Sequence, residues 1–258
     1  MPDAATLAQM YGPEYIETWY LPQQDSTSSS AATEMPADTS QNDRVLDWLK
    51  KASNGTFLDY GCGSGELLRD AMRLQWQGVG VEFSEDVAKS VAQRTGARVV
   101  SEPSALGSEP LADVLHLGDV IEHLTDIDAQ MPAILSLLKP NGVLLAQGPL
   151  ENNFNVFTLT LRLVRSLRRS PRSERAPYHV LLATARGQRE LFRRFGLQEI
   201  EFSVSEVAWP APRRLSRSDL RRCRAVGLFL LRRFSRIISA LVPRRWGNRY
   251  FYAGRWRG

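Results

Sequence analysis

Residues 57–68 read Phe57-Leu58-Asp59-Tyr60-Gly61-Cys62-Gly63-Ser64-Gly65-Glu66-Leu67-Leu68. A short apolar run ends in an acid, three glycines follow at alternate positions, and a helical pattern begins at once. The stretch predicts a strand that stops, a loop with no side chains in the way, and a helix opening. Such a loop lets a ligand touch bare backbone, and the helix start offers free N–H groups. A dinucleotide-binding fingerprint places its third glycine three residues after the second. Here Gly65 follows Gly63 by two, and Asp59 precedes the loop. That spacing disfavours hydride transfer on a nicotinamide.

Working outward, apolar runs alternate with helical patterns. Strand 56–60 leads to helix 66–76, and strand 78–82 leads to helix 84–95. Strands 97–101 and 113–118 follow, then helix 127–138. Lys139-Pro140-Asn141-Gly142 predicts a turn into strand 143–148. Helix 184–195, strand 197–204 and a last alternating stretch, 248–256, complete the pattern. Strands alternating with helices imply an α/β fold, a largely parallel sheet covered on both faces. Upstream, residues 1–42 hold an aromatic helix over 7–20 and a flexible Ser/Thr/Ala/Pro-rich linker. Val45, Leu46, Trp48 and Leu49 then give a short amphipathic helix. The domain spans 43–258, with insertions at 151–178 and 207–247.

Four stretches together resemble the class I S-adenosylmethionine-dependent methyltransferases, over roughly residues 43–205. They are the glycine loop, Val79-Gly80-Val81-Glu82-Phe83-Ser84, the run Asp113 to Leu124 with its Glu122-His123-Leu124 signature, and Leu137-Leu138-Lys139-Pro140-Asn141-Gly142. Asn141 stands where relatives carry glycine, and Asn tolerates the left-handed conformation. The resemblance is to the small-molecule and quinone-type O-methyltransferases. It implies a Rossmann-like, mostly parallel seven-stranded sheet whose last strand is antiparallel and slots beside the fifth. It also implies S-adenosyl-L-methionine as cofactor and residue roles around it. Gly61, Cys62, Gly63 and Gly65 would admit the methionine part. Asp59 would hold its amino group and Glu82 the ribose hydroxyls. Phe83 would lie against the adenine, with Ser104 and Asp119 nearby. Tyr11 and Tyr15 resemble an aromatic lid helix over the cofactor.

Methyl transfer needs an aligned acceptor and, for a hydroxyl, a group that takes its proton. The chain has three histidines. His116 lies inside an apolar strand and reads as core. His123 follows the fourth strand at the cofactor-facing end, and His179 precedes the helix after the fifth strand. Both are candidates for the catalytic role, with structural hydrogen bonding as the alternative. Asp119, Glu122, His123 and His179 loosely match the metal-binding set of small-RNA 3′-terminal methyltransferases. Asp in place of Glu and the context of the second His argue for no metal.

Residues 1–150 hold 9 Lys+Arg against 21 Asp+Glu, a net charge of −12. Residues 151–258 hold 24 against 7, a net charge of +17, and every basic residue there is Arg. Such asymmetry marks contact with an anionic surface or ligand. In a parallel sheet, ligands bind beyond the carboxyl ends of the strands. Strands 143–148 and 197–204 both end there, so both Arg-rich insertions should lie at the mouth of the site. The stretch from Arg221 to Val242 mixes Arg with Leu, Phe and Ile. It can lie in a lipid interface or pack its apolar face on the domain.

The expected function is O-methylation of a small-molecule, lipid-linked or glycan-linked acceptor. RNA methylation through the basic half is the alternative, and a non-catalytic membrane adaptor a third reading. Two cysteines, Cys62 and Cys223, are too few for a disulfide framework and fit a reducing compartment. Met1-Pro2-Asp3 does not read as a signal peptide. The expected location is cytoplasmic, with peripheral attachment to the inner membrane face through the Arg-rich insertions.

Overall fold

A computed structural model describes residues 39–153, 155, 156, 159, 160, 180–207, 223–242 and 245–258. Tyr11, Tyr15 and His179 lie outside these residues, as do the arginines of the 157–169 piece.

Helix α1 spans Thr39–Leu49 and starts inside the stretch read as linker. Then come β1 (Thr56–Tyr60), α2 (Glu66–Arg73), β2 (Gln77–Val81), α3 (Glu85–Thr95) and β3 (Arg98–Val100). A 3₁₀ turn (Pro103–Leu106), β4 (Ala112–Gly118) and a second 3₁₀ turn (Ile121–His123) follow. The chain continues through α4 (Ile127–Leu135), β5 (Leu138–Pro149), α5 (Ala185–Arg194), β6 (Gln198–Ser205), α6 (Cys223–Leu241) and β7 (Arg249–Arg255).

Local chemistry explains the helix starts. The side chains of Ser84, Asp126 and Thr184 accept from the backbone N–H of Val87, Ala129 and Gly187, capping α3, α4 and α5. α3 ends on Gly96 in the left-handed conformation. Asn141 also has positive φ, 64°, and turns the chain within β5.

The sheet order is β3-β2-β1-β4-β5-β7-β6. β1 to β5 pair in parallel, and β7 runs antiparallel between β5 and β6. The expected insertion of the last strand beside the fifth is therefore present. Two apolar layers cover the sheet. Val45, Leu49, Leu68, Val87 and Val91 of α1, α2 and α3 pack on Phe57, Val114, Leu145 and Phe251. On the other face, Met131, Ile134, Leu135 and Phe192 of α4 and α5 pack on Leu58, Leu115, Leu144 and Tyr252. Phe192 stacks on Tyr252 with ring centroids 3.9 Å apart. Both layers are close-packed apolar burial, the main stabilising term of the domain. They hold the ends of β1, β2, β4 and β5 at one edge.

Candidate active site

The glycine loop is folded back over the end of β2. The N–H groups of Gly61 and Cys62 both donate to the carbonyl of Val81, at 2.8 and 2.9 Å. Gly65 caps α2 with φ of 73°, and a Cβ there would lie 2.4 Å from Cγ1 of Val91. No side chain supplies a cap hydrogen bond at this helix start. The first turn of α2 thus brings unpaired N–H groups to bare backbone. Cys62 points inward, and burial pushes its thiol well above the ordinary range, so it is an inert packing residue.

Glu82 follows β2 and turns back to the loop. One carboxylate oxygen accepts from the N–H of Gly63 at 2.9 Å, the other from the N–H of Ser84 at 3.2 Å. Burial raises its pKa, and these backbone donors partly offset the rise. Each oxygen keeps lone-pair capacity for a further donor. Beside it, Phe83 is 59% exposed and meets Tyr60 edge-on, ring centroids 5.6 Å apart. Its ring thus leaves a face open to water next to the bare-backbone loop. The predicted set Gly61, Gly63, Gly65, Glu82 and Phe83 is thus gathered at one end of β1 and β2. Ser104 lies on the exposed 3₁₀ turn after β3.

Asp59 has a partner inside the sheet. Its side chain is buried, and Nδ1 of His116 lies 2.7 Å from Oδ1. The pair follows from register, since Asp59 and His116 are direct neighbours across β1 and β4. His116 is core, as its apolar strand implied.

A second cluster lies at the ends of β4, β5 and β7. Asp119 adopts φ of 53°, unusual for a residue with a side chain. One guanidinium nitrogen of Arg249 reaches both its carboxylate oxygens, at 2.5 and 2.7 Å. Glu122 is buried, and its Oε1 makes no hydrogen bond among the described residues. Burial first, then the charge of Asp119, push its pKa well above the carboxylate range, against the pull of Arg249. The buried hydroxyl of Tyr250 is likewise without a hydrogen bond there. Gly148 shows how the two converge. A Cβ on it would lie 3.3 Å from both Oε2 of Glu122 and the Tyr250 hydroxyl. His123 stands beside them in the 3₁₀ turn, its N–H donating to Val120.

Tyr250, Arg249 and Gly148 were not among the residues singled out from sequence. Glu122 was visible within the Glu-His-Leu signature. Tyr250 joins it only through the pairing of Gly148 with Tyr250 across β5 and β7. Among the described residues no group of His, Cys, Asp and Glu forms a metal-binding cluster. A cavity of about 800 Å³ runs along α5, lined among others by Asn153, Thr184, Arg189, Arg193, Arg245 and Tyr252. It is framed by α5 and carries none of the loop residues.

A family model described as a methyltransferase domain matches residues 38–201. A ubiquinone biosynthesis O-methyltransferase of Pelagibacter ubique is 33% identical over 101 residues, 37% of this chain and 42% of that protein. One from Brucella ovis is 34% identical over 98 residues, 34% and 38% of the two chains. The match thus spans less than half of these relatives' length. Among solved structures, a magnesium protoporphyrin IX methyltransferase from Synechocystis, with bound SAH, superposes with a TM-score of 0.58 at 13% identity. That match covers 97% of this chain and 98% of the other. A cyclopropane synthase of Mycobacterium tuberculosis gives 0.53 at 17% identity, over 95% and 94%. These distant structures share the fold. With the glycine loop, the acid after β2 and the strand order, the family match establishes that this chain belongs to the methyltransferase domain family.

Proposed function

We propose that this chain transfers a methyl group from S-adenosylmethionine to an oxygen of a small-molecule acceptor. The observation that carries this reading is the hydrogen bond from the Gly63 N–H to Glu82. It ties the bare-backbone loop to a carboxylate that still has acceptor capacity. The residues fit the cofactor. Gly61 has φ of 82°, and a Cβ there would lie 2.8 Å from Val120, so only backbone faces the loop. Glu82 would accept from the two ribose hydroxyls, and Phe83 would cover the adenine. Asp59, oriented by His116, would face the amino group through its remaining oxygen or a water.

The bound cofactor supplies an activated methyl group on a sulfonium. The chain's own residues align the acceptor and take its proton. Three groups stand at the ends of β4 and β7 for that work: His123, Glu122 and the Tyr250 hydroxyl. Burial and the charge of Asp119 raise the pKa of Glu122, so once ionised it is a stronger base than a surface carboxylate, which suits removal of a hydroxyl proton. The names of the relatives support a quinone-precursor type of acceptor, a hydroxylated ring bearing an apolar tail. The RNA reading is not favoured. Arg44, Arg189, Arg193, Arg194 and Arg249 each pair with a carboxylate and do not form one open basic face.

Calorimetry with S-adenosylmethionine, followed by assay of S-adenosylhomocysteine release with phenols, amines and RNA, tests the proposal. Binding together with phenol-dependent release is the expected result. Release only with RNA or amines would overturn the acceptor assignment, and absence of binding would overturn the activity.

A further inference from the structure

Helix α6 leaves more apolar surface in water than a helix that packs only on its own domain. Among its described side chains the buried ones are serines: Ser235 and Ser239 are 2% and 3% exposed. Ser239 donates to the carbonyl of Trp246 at 2.7 Å, and Ser235 hydrogen-bonds Glu206. Phe229, Leu231 and Ile238 are half-buried, while a separate set of large apolar side chains faces outward. Leu230, Phe234, Ile237 and Leu241 are 57, 54, 51 and 72% exposed. They recur at intervals of four, three and four residues, which places them on one helical face over roughly 16 Å. Exposed Arg233 borders this stripe and exposed Arg236 lies further round. α6 contains no acidic residue. A contiguous apolar stripe edged by cations is an interaction surface, not incidental exposure.

Topology gives the stripe a location. The chain leaves β6 at Ser205 and enters β7 at Arg249, which pairs with Asp119. Both ends of the insertion carrying α6 therefore lie at the edge where β4 and β5 deliver Asp119, Glu122 and Gly148.

We propose that the outward stripe of α6 seats in the plane of an anionic lipid bilayer, beside the mouth of the acceptor site. Leu230, Phe234, Ile237 and Leu241 would enter the acyl boundary. Arg233 and Arg236 would reach the headgroups, their stems lying along the apolar surface. No helix among the described residues is long and apolar enough to cross a membrane, so this surface lies on the bilayer. The net charge of +17 over residues 151–258 complements anionic headgroups. A second copy of the chain fits worse, because a two-fold contact of α6 would bring arginines of like charge together. The proposal deepens the quinone-precursor reading, because an apolar-tailed acceptor would be reached from the membrane. The binding surface itself does not depend on that reading.

Flotation with vesicles of phosphatidylglycerol and phosphatidylcholine tests it, against vesicles of phosphatidylcholine alone. The full chain should float with the anionic vesicles and less so in high salt. Phe234→Glu with Ile237→Glu should lower partitioning at least about tenfold, and Arg233→Gln or Arg236→Gln about fivefold each. Calorimetry should show unchanged cofactor affinity in every variant, which reports an intact fold. Wild type that fails to float, or flotation unaffected by the paired glutamates, overturns the proposal. So does a dimer in sedimentation that the paired glutamates dissociate, which would assign the stripe to a second copy. Flotation without cofactor binding by wild type leaves the anchor standing and sinks the methyltransferase reading.

Discussion

Nδ1 of His116 lies 2.7 Å from Oδ1 of Asp59, with both side chains about 4% exposed. The carboxylate at the end of β1 is therefore oriented from inside the sheet before any ligand arrives. The other ring nitrogen, Nε2, makes no hydrogen bond among the described residues. The His116 ring also stacks on Phe57, with centroids 6.3 Å apart, so packing fixes the orientation it gives Asp59. Replacing His116 by Leu would leave a buried carboxylate without its hydrogen-bond partner, a loss of about 1–3 kcal/mol. Asp59→Asn keeps a hydrogen-bonding group against the ring and should cost much less. Urea unfolding of both variants checks this. Equal stabilities would show that the pair carries no weight. Cofactor affinity should fall in both, because Asp59 loses its orientation in one and its charge in the other.

Glu82 makes cofactor binding dependent on pH. Burial raises its pKa above the ordinary carboxylate value, and two ribose hydroxyls need the ionised form as acceptor. Affinity should be full where Glu82 is ionised and should decline as pH falls toward its raised pKa. The decline begins at higher pH than for a surface glutamate. Glu82→Gln should bind at least about tenfold more weakly, having lost a charged acceptor, and should lose this acid limb. Calorimetric titration between pH 5 and 8 gives both readings. An acid limb that persists unchanged in the Gln variant would assign it to another group.

Gly65 admits no side chain. Its φ of 73° and the 2.4 Å approach of Val91 to a built Cβ act together. Gly65→Ala should destabilise the fold by about 1–3 kcal/mol. The start of α2 should shift away from α3, moving the N–H groups offered to the cofactor. A thermal melt and a binding isotherm on the same sample are the measurement. Wild-type values in both would show that the loop tolerates a side chain.

Much of this site was legible because it is local in sequence. The loop, Glu82 and Phe83 are fixed by strand ends and by turns that only glycine can make, and β7 fell beside β5 as the family resemblance implied. Helix α1 begins at Thr39, where polar residues mask helical character that tertiary packing of Val45 and Leu49 secures. The pairing of Asp59 with His116, and the meeting of Glu122 with Tyr250, depend on cross-strand register. No periodicity in one segment reports that. The stretch 221–242 was open between a lipid-facing helix and one packed by its apolar face. Ser235 and Ser239 occupy the packed face beside half-buried Leu231 and Ile238, and find partners in Glu206 and the Trp246 carbonyl.

Glu122 should impose a pH dependence on stability as well as on chemistry. Its folded pKa lies well above the ordinary carboxylate value, through burial and the neighbouring charge of Asp119. The folded state therefore holds a proton that the unfolded chain releases at lower pH. Its contribution to stability is full below the unfolded carboxylate range and is lost as pH rises through the folded pKa. The slope approaches about 1.4 kcal/mol per pH unit within that interval. Glu122→Gln cannot ionise, and its amide preserves the shape. The variant should melt with a flatter profile and exceed wild type in stability at the upper end of the interval. Glu82, raised in the same direction, contributes a slope of the same sign, so Glu82→Gln serves as the comparison. Methyl transfer to a phenol should fall at least about a hundredfold in Glu122→Gln if the carboxylate takes the acceptor proton, with cofactor affinity unchanged. Urea unfolding at half-unit steps from pH 5 to 8, paired with turnover on the same samples, separates the two roles. A flat stability profile with full activity would make Glu122 structural. A wild-type slope retained in the Gln variant would place the titrating group elsewhere.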